Sequence, residues 1–386
     1  MNYQFKLKRY FLYFGQIMIS LILICSQTTN SQTKSSSNKN ELINKALLKI
    51  VNNGGAPGII AGIISSNGII EIASAGVRKA GSGTAFTTND VVHLGSCTKA
   101  MTATMLATLV AEGTLSWDTK LIDAIPELKK RIHTDYHKIT LWQLLTHRAG
   151  IPKNAADENA FRSKEIKERR LAIIEDNLKS PASYGIDQFH YSNFGYMIAA
   201  CIAEQITGLS WESLIKKRLF DPLGMSTAGF GNPNKNRSTN QPWGHHKHAW
   251  KWRPSESYYE EAINPAGRVY CSIADWAKFI SLQLTSENPI LEGNYLDKLI
   301  EPIGFYAGGW GVAEHDWAKG IVLTHNGSNE IWYTTVFVTP KLDRAFVVAT
   351  NSCDFGSTPE LCNEILRELV KMELDSNQNH CCPIKI

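Results

Sequence analysis

The chain of 386 residues lacks any Cys-x-x-Cys pair, although it holds eight cysteines, at positions 25, 97, 201, 271, 353, 362, 381 and 382. That spacing excludes the common thiolate metal frameworks. It also lacks a basic run or an aromatic–basic stripe. With 40 Lys and Arg against 36 Asp and Glu, and a formal charge of +4, it carries no electrostatic footprint for nucleic acid. An apolar stretch long enough to span a bilayer is missing too. The run Phe11 to Cys25 is about 15 residues, short of the ~20 that a spanning helix needs. Beyond residue 40 no low-complexity stretch divides the sequence, so residues 41–386 read as a single domain with ample length for a large core.

The N-terminus has its own logic. Lys6, Lys8 and Arg9 precede the apolar run, and the polar stretch Ser26 to Gln32 follows it. This is the layout of a bacterial export signal over residues 1–26, which predicts a periplasmic or secreted protein. A retained anchor is the alternative reading. Ile24 before Cys25 argues against lipidation, where a small residue is expected. Residues 27–40 form a polar, flexible leader. Losing the signal removes three basic residues and no acidic one, taking the formal charge from +4 to about +1, and leaves an odd number of cysteines. Cys353 and Cys362 are the closest plausible disulfide couple. Cys97, Cys201 and Cys271 lie in apolar contexts and read as buried thiols.

Periodicity organises the rest. Glu41 to Asn52 has a helical rhythm. Gly58 to Ile64 and Ile69 to Ala73, joined by Asn67-Gly68, form a hairpin, for which Asn-Gly is the strongest short-range signal. A second hairpin runs from Trp332 to Val338 and Ala345 to Thr350 across the turn Pro340 to Asp343, and Glu360 to Leu374 is an amphipathic closing helix. Between them, helical patterns occupy residues 99–112, 140–146, 164–177, 193–206, 210–219 and 273–284. The fold class that follows is α/β (α+β): one antiparallel sheet from residues 41–90 and 300–374, flanked by the terminal helices, with a mostly helical region 90–300 inserted. A site at the seam of the two regions is expected.

Three short segments carry chemistry. Ser96-Cys97-Thr98-Lys99 places a hydroxyl and an amine on one helical face, so the amine can activate the oxygen. Such spacing is common. Its setting is less so, because Gly95 precedes it and an apolar helix from Ala100 to Val110 follows, which buries Lys99 and lowers its pKa. Tyr191-Ser192-Asn193 enters a second apolar helix, where the phenol can relay a proton and the amide can hold the lysine or a carbonyl. Alternatively, Ser192 or Asn193 caps the helix and Tyr191 packs. His325-Asn326-Gly327-Ser328 reads as a strand that meets a ligand with its side chain and admits backbone closely at the glycine.

In that order these segments resemble the three signatures of the serine β-lactamase and penicillin-binding-protein superfamily. The tyrosine points to the branch of class C β-lactamases, D-amino-acid-releasing peptidases and related esterases. Leu144 to Pro152 and Asn264 to Asp275 are similar to further segments of that family, so the resemblance covers roughly residues 42–372. It implies an antiparallel sheet with a helical insertion, no cofactor, and a small-molecule or peptide substrate. It further implies that Ser96 acylates, with Lys99 and Tyr191 as a coupled pair, either of which is the base. The amides of Ser96 and Ser328 would hold the oxyanion, and Asn193, Asn154, His325 and Gly327 would contact substrate. One departure matters. Class C β-lactamases carry Lys-Thr-Gly where this chain has His325-Asn326-Gly327, and a histidine is a cation only when protonated. An ester or D-amino-acid peptide is therefore the expected substrate rather than a β-lactam; a β-lactamase proper, or a binding sensor that does not turn over, is the alternative. His245, His246 and His248 lack a carboxylate at a supporting spacing, and with Trp250 and Trp252 they read as an aromatic loop on the site's rim rather than a metal centre.

Overall fold

The computed structural model describes residues 39–157, 160–234, 240–255, 260–285, 289–291 and 294–378. The expected signal, nearly all of the leader, and Cys25, Cys381 and Cys382 lie outside the described residues. Helix α1 (Lys39–Asn52) turns Ile43 and Leu47 inward, and strands β1 (Gly58–Ser65) and β2 (Gly68–Gly76) follow. Gly68 sits at φ +106°, a conformation that costs glycine little and explains the Asn-Gly signal. At the far end come β8 (Gly311–His315), β9 (Gly320–Ser328), β10 (Tyr333–Thr339), β11 (Arg344–Thr350) and the last helix, Thr358–Gln378.

These strands make one six-stranded antiparallel sheet in the order β2-β1-β11-β10-β9-β8. The first strand pairs with the last, Ile59 opposite Thr350 through Ile64 opposite Ala345. The two terminal helices pack against each other and the sheet, and helix Ile273–Ser281 lies against β1 and β2. With both faces covered, β1 and β10 are buried at every position, and β1 accordingly reads as a continuous apolar run rather than an alternating one.

The intervening region is mostly helical, as expected. It contains β3 (Val91–His93), α2 (Thr98–Ala111), α3 (Leu121–Ala124), α4 (Leu141–Leu145), α5 (Ile166–Asn177), α6 (Asn193–Thr207), α7 (Trp211–Ile215), α8 (Asn264–Gly267), α9 (Ile273–Ser281) and α10 (Tyr295–Ile300). The last helix is thus α11. The helix expected over 210–219 ends at Ile215 and continues as one wider turn, Lys216–Phe220. Two small sheets escape the sequence reading. In one, β3 pairs with β7 (Val269–Ser272), which pairs with β4 (Gly229–Phe230). In the other, β5 (Gly244–His248) pairs with β6 (Lys251–Ser255), so the expected aromatic loop is a hairpin. Strands of two to five residues are too short to show a period.

Cys353 and Cys362 are free thiols, as are Cys97, Cys201 and Cys271, and all five are buried. This corrects the expected couple. The Cys353 thiol lies 3.3 Å from Ser328 Oγ and donates to it, while Cys362 faces the core from α11.

Candidate active site

Ser96 stands on a single 3-10 turn, Gly95–Cys97, between β3 and α2. The turn is held against the end of β9 by an approach that only glycines permit. Gly95 is at φ +51°, and a Cβ there would overlap the backbone of Gly327 and the amide nitrogen of Ser328. A Cβ on Gly327 would in turn overlap the carbonyl of Leu94 and come within 2.9 Å of the Ser96 nitrogen. The backbones carrying the Ser96 and Ser328 amides are therefore in contact, which is the requirement for two N–H groups to share one oxyanion. The Ser328 hydroxyl is engaged elsewhere, donating to the Trp332 carbonyl at 2.7 Å.

Lys99 is the second residue of α2, one helical turn beyond Ser96, and fully buried. Its Nζ is 2.6 Å from the Ala266 carbonyl, 2.8 Å from Asn193 Oδ1 and 3.2 Å from Ser96 Oγ. The first two partners only accept. A neutral amine has two N–H groups and one lone pair, so donating to those two turns the lone pair to the one neighbour with a proton to give, the Ser96 hydroxyl. Electrostatics agree. Burial holds the Lys99 pKa well below the usual ammonium range; the nearby Cys97 opposes this and the Lys153 charge adds to it.

Asn193 opens α6, and Ser192 is its N-cap, accepting from the Gly195 N–H at 2.8 Å. Capping and site chemistry thus coexist on neighbouring residues. Asn193 accepts from Lys99 through Oδ1 and donates through Nδ2 to Asn154 Oδ1 at 2.8 Å, so the four residues Ser96, Lys99, Asn193 and Asn154 form one chain of hydrogen bonds. Tyr191 is half-buried, its ring centroid 4.8 Å from Lys99 Nζ. Burial pushes its phenol pKa up, opposed by a hydrogen bond to Ser96. The phenol stays protonated where the lysine does not.

His325 is placed differently from expectation. It is 4 % exposed; Nδ1 meets the Asn326 carbonyl at 2.7 Å and Nε2 meets the Tyr306 hydroxyl at 3.1 Å. The carbonyl fixes the proton on Nδ1, so Nε2 accepts from the tyrosine. Burial first, then the Lys99 charge, lower its pKa to about 3, against the Asn326 hydrogen bond. It is a neutral wall of the site and not a cation. His245 is also occupied at both nitrogens, by the Ala80 N–H at 2.9 Å and the Asn351 carbonyl at 2.7 Å, so it pins the β5–β6 hairpin.

Sequence reasoning read His147 only as part of a family-like segment. It is 1 % exposed, and its ring centroid lies 4.4 Å from Tyr191, 4.7 Å from Tyr306 and 5.3 Å from Tyr196. The signal available was a histidine in an otherwise apolar and turn-forming stretch; its contacts arise from chain segments distant in sequence.

A mixed α/β fold with this antiparallel sheet, and a buried lysine against a serine at the head of an apolar helix, define the β-lactamase and penicillin-binding-protein class of serine hydrolases. The Beta-lactamase family profile matches residues 43–370, and the chain belongs to that family. It is 25 % identical over 344 residues to penicillin-binding protein 4 of Amycolatopsis lactamdurans, covering 81 % of this chain and 85 % of that one. It is 24 % identical over 268 residues to protein flp of Staphylococcus aureus strain N315, covering 67 % of this chain and 52 % of the relative; the match spans about half of that protein. Among solved structures, the octameric penicillin-binding-protein homologue of Pyrococcus abyssi superposes with TM-score 0.72 at 22 % identity, over 86 % of this chain and 77 % of that one. A class C β-lactamase of Rhodobacter sphaeroides gives 0.69 at 18 %, over 85 % and 99 %.

Proposed function

We propose that this hydrolase is exported, forms an acyl-enzyme on Ser96, and acts on an ester or an amide, with small esters and D-amino-acid peptides favoured over β-lactam antibiotics. In this reading residues 1–26 are the signal, 27–40 a leader, and 41–386 the hydrolase domain. The observation that carries the acyl-enzyme is the set of Lys99 neighbours, two carbonyl acceptors and one hydroxyl.

The steps follow from the geometry. Ser96 Oγ attacks the substrate carbonyl carbon while its proton moves to the Lys99 lone pair, directly or through the Tyr191 hydroxyl. The depressed lysine and the raised phenol support Lys99 as the base and Tyr191 as the relay. The oxyanion sits between the amides of Ser96 and Ser328, near the N-terminus of α2. The carbonyl–heteroatom bond then breaks, the leaving group takes the proton back, and water hydrolyses the Ser96 ester by the same relay. Asn193 and Asn154 offer amide contacts to substrate, and Gly327 admits it to the strand edge. The neutral His325 supports the substrate preference, because it offers no charge to a β-lactam carboxylate.

Rates on nitrocefin, nitrophenyl esters and D-alanyl peptides, together with intact-mass measurement after mixing, test the reading. Turnover of an ester or peptide that disappears in Ser96→Ala is expected. A lasting adduct without product, or activity that survives Ser96→Ala, sinks it.

A further inference from the structure

His147 touches the peptide on both sides of Tyr191. The His190 N–H donates to the His147 carbonyl at 2.7 Å, and the Ser192 N–H donates to His147 Nδ1 at 3.1 Å. Tyr191 is thus strung between two hydrogen bonds to one residue, and its ring lies against the imidazole of that residue at 4.4 Å. Two further observations set His147 apart. Its backbone is at φ +61°, an uncommon conformation for a residue with a Cβ and one that accumulates at functional sites. With Nδ1 accepting from Ser192, the ring proton is on Nε2, and that buried atom has no hydrogen-bond partner among the described residues. An imidazole kept in a strained backbone with one polar atom unmatched is a costly way to fill space.

We infer that His147 is the positioning residue that aims the Tyr191 hydroxyl at Ser96, through its carbonyl, its Nδ1 and its ring face. This rests on the acyl-enzyme reading, in which the phenol relays a proton and its direction sets the rate. Burial holds the His147 pKa well below the usual imidazole range and keeps the ring neutral, so Nδ1 retains the lone pair that Ser192 needs. Tyr306 closes the far side of the ring at 4.7 Å.

The test uses the full chain, a nitrophenyl ester and two substitutions. His147→Asn places an oxygen where Nδ1 stood and tolerates positive φ. His147→Gly relieves the backbone and removes the acceptor. The glycine variant should lose about 10²-fold in kcat with little change in KM, as a misplaced catalytic group does, while the asparagine variant recovers most of the rate. Each is also made on a Tyr191→Phe background, where the glycine change should cost little further, because the group it aims is gone. Glycine and asparagine variants of equal activity overturn the inference, as does a glycine loss that persists undiminished on the phenylalanine background. If Tyr191→Phe alone retains the wild-type rate, the catalytic reading of Tyr191 fails and the inference falls with it. Thermal melts of each variant separate these results from unfolding.

Discussion

At Lys99 the direction of the pKa shift decides the pH behaviour. As the proposed base it must be neutral, so kcat/KM should be full above its depressed folded pKa and fall as pH drops through it. His325 titrates near 3 and contributes no inflection above about pH 4. A pH profile on a nitrophenyl ester should therefore show one acid limb, in the same place for His325→Gln as for the wild type. A limb that moves with that substitution would put the histidine back in the role of a functional cation. The residue types were legible here: serine, lysine, tyrosine and asparagine, in two segments, meet within hydrogen-bonding distance. The state of His325 was not, because it depends on Tyr306 and on burial, neither of which a local pattern encodes.

The elements explain why a glycine stands at each side of the proposed nucleophile, Ser96. The 3-10 turn and the end of β9 come from regions far apart in sequence, and they meet through bare backbone at Gly95 and Gly327. Gly327→Ala would drive a methyl into the Leu94 carbonyl, separating the Ser96 and Ser328 amides. Loss of one such donor costs about 10²–10³ in kcat, so a fall of at least that size is expected from steady-state rates, with the acyl adduct lost in mass spectra. Alanine at Gly68, also at positive φ but with open space around it, should change stability by about 1 kcal/mol and leave the rate alone. The β1–β2 and β10–β11 hairpins and most helices were readable from period and turn chemistry, with helix ends within a few residues, whereas β8 and its pairing with β9 were not. Nor were strands β4 and β7, since they are held by pairing partners and not by their own pattern.

At the scale of the whole molecule, a buried charge cluster adjoins the segment that holds Lys99. Arg170 binds Glu204 and, at 2.6 Å, Glu212, and reaches the carbonyls of Ala262 and Glu261 at 3.0 and 3.1 Å. Glu212 accepts from Asn264 at 2.7 Å, in the short helix that ends with the Ala266 carbonyl on Lys99. Burial opposes ionisation of Glu212, yet the guanidinium outweighs it and lowers its pKa. Arg170→Met strands these carboxylates and should cost about 3–5 kcal/mol, read as a lower urea midpoint. A midpoint within error of wild type would show that the cluster is not a keystone.

The pairing of β1 with β11 also sets a clock. A ribosome releases the first strand long before the last, and at about 5–20 residues per second the interval is on the order of tens of seconds. Throughout it, Gly58-Ile59-Ile60-Ala61-Gly62-Ile63-Ile64 has no partner on one edge, and it is the kind of uncharged, β-prone segment that seeks strangers. Until β11 arrives, that open strand edge is available for pairing with other chains.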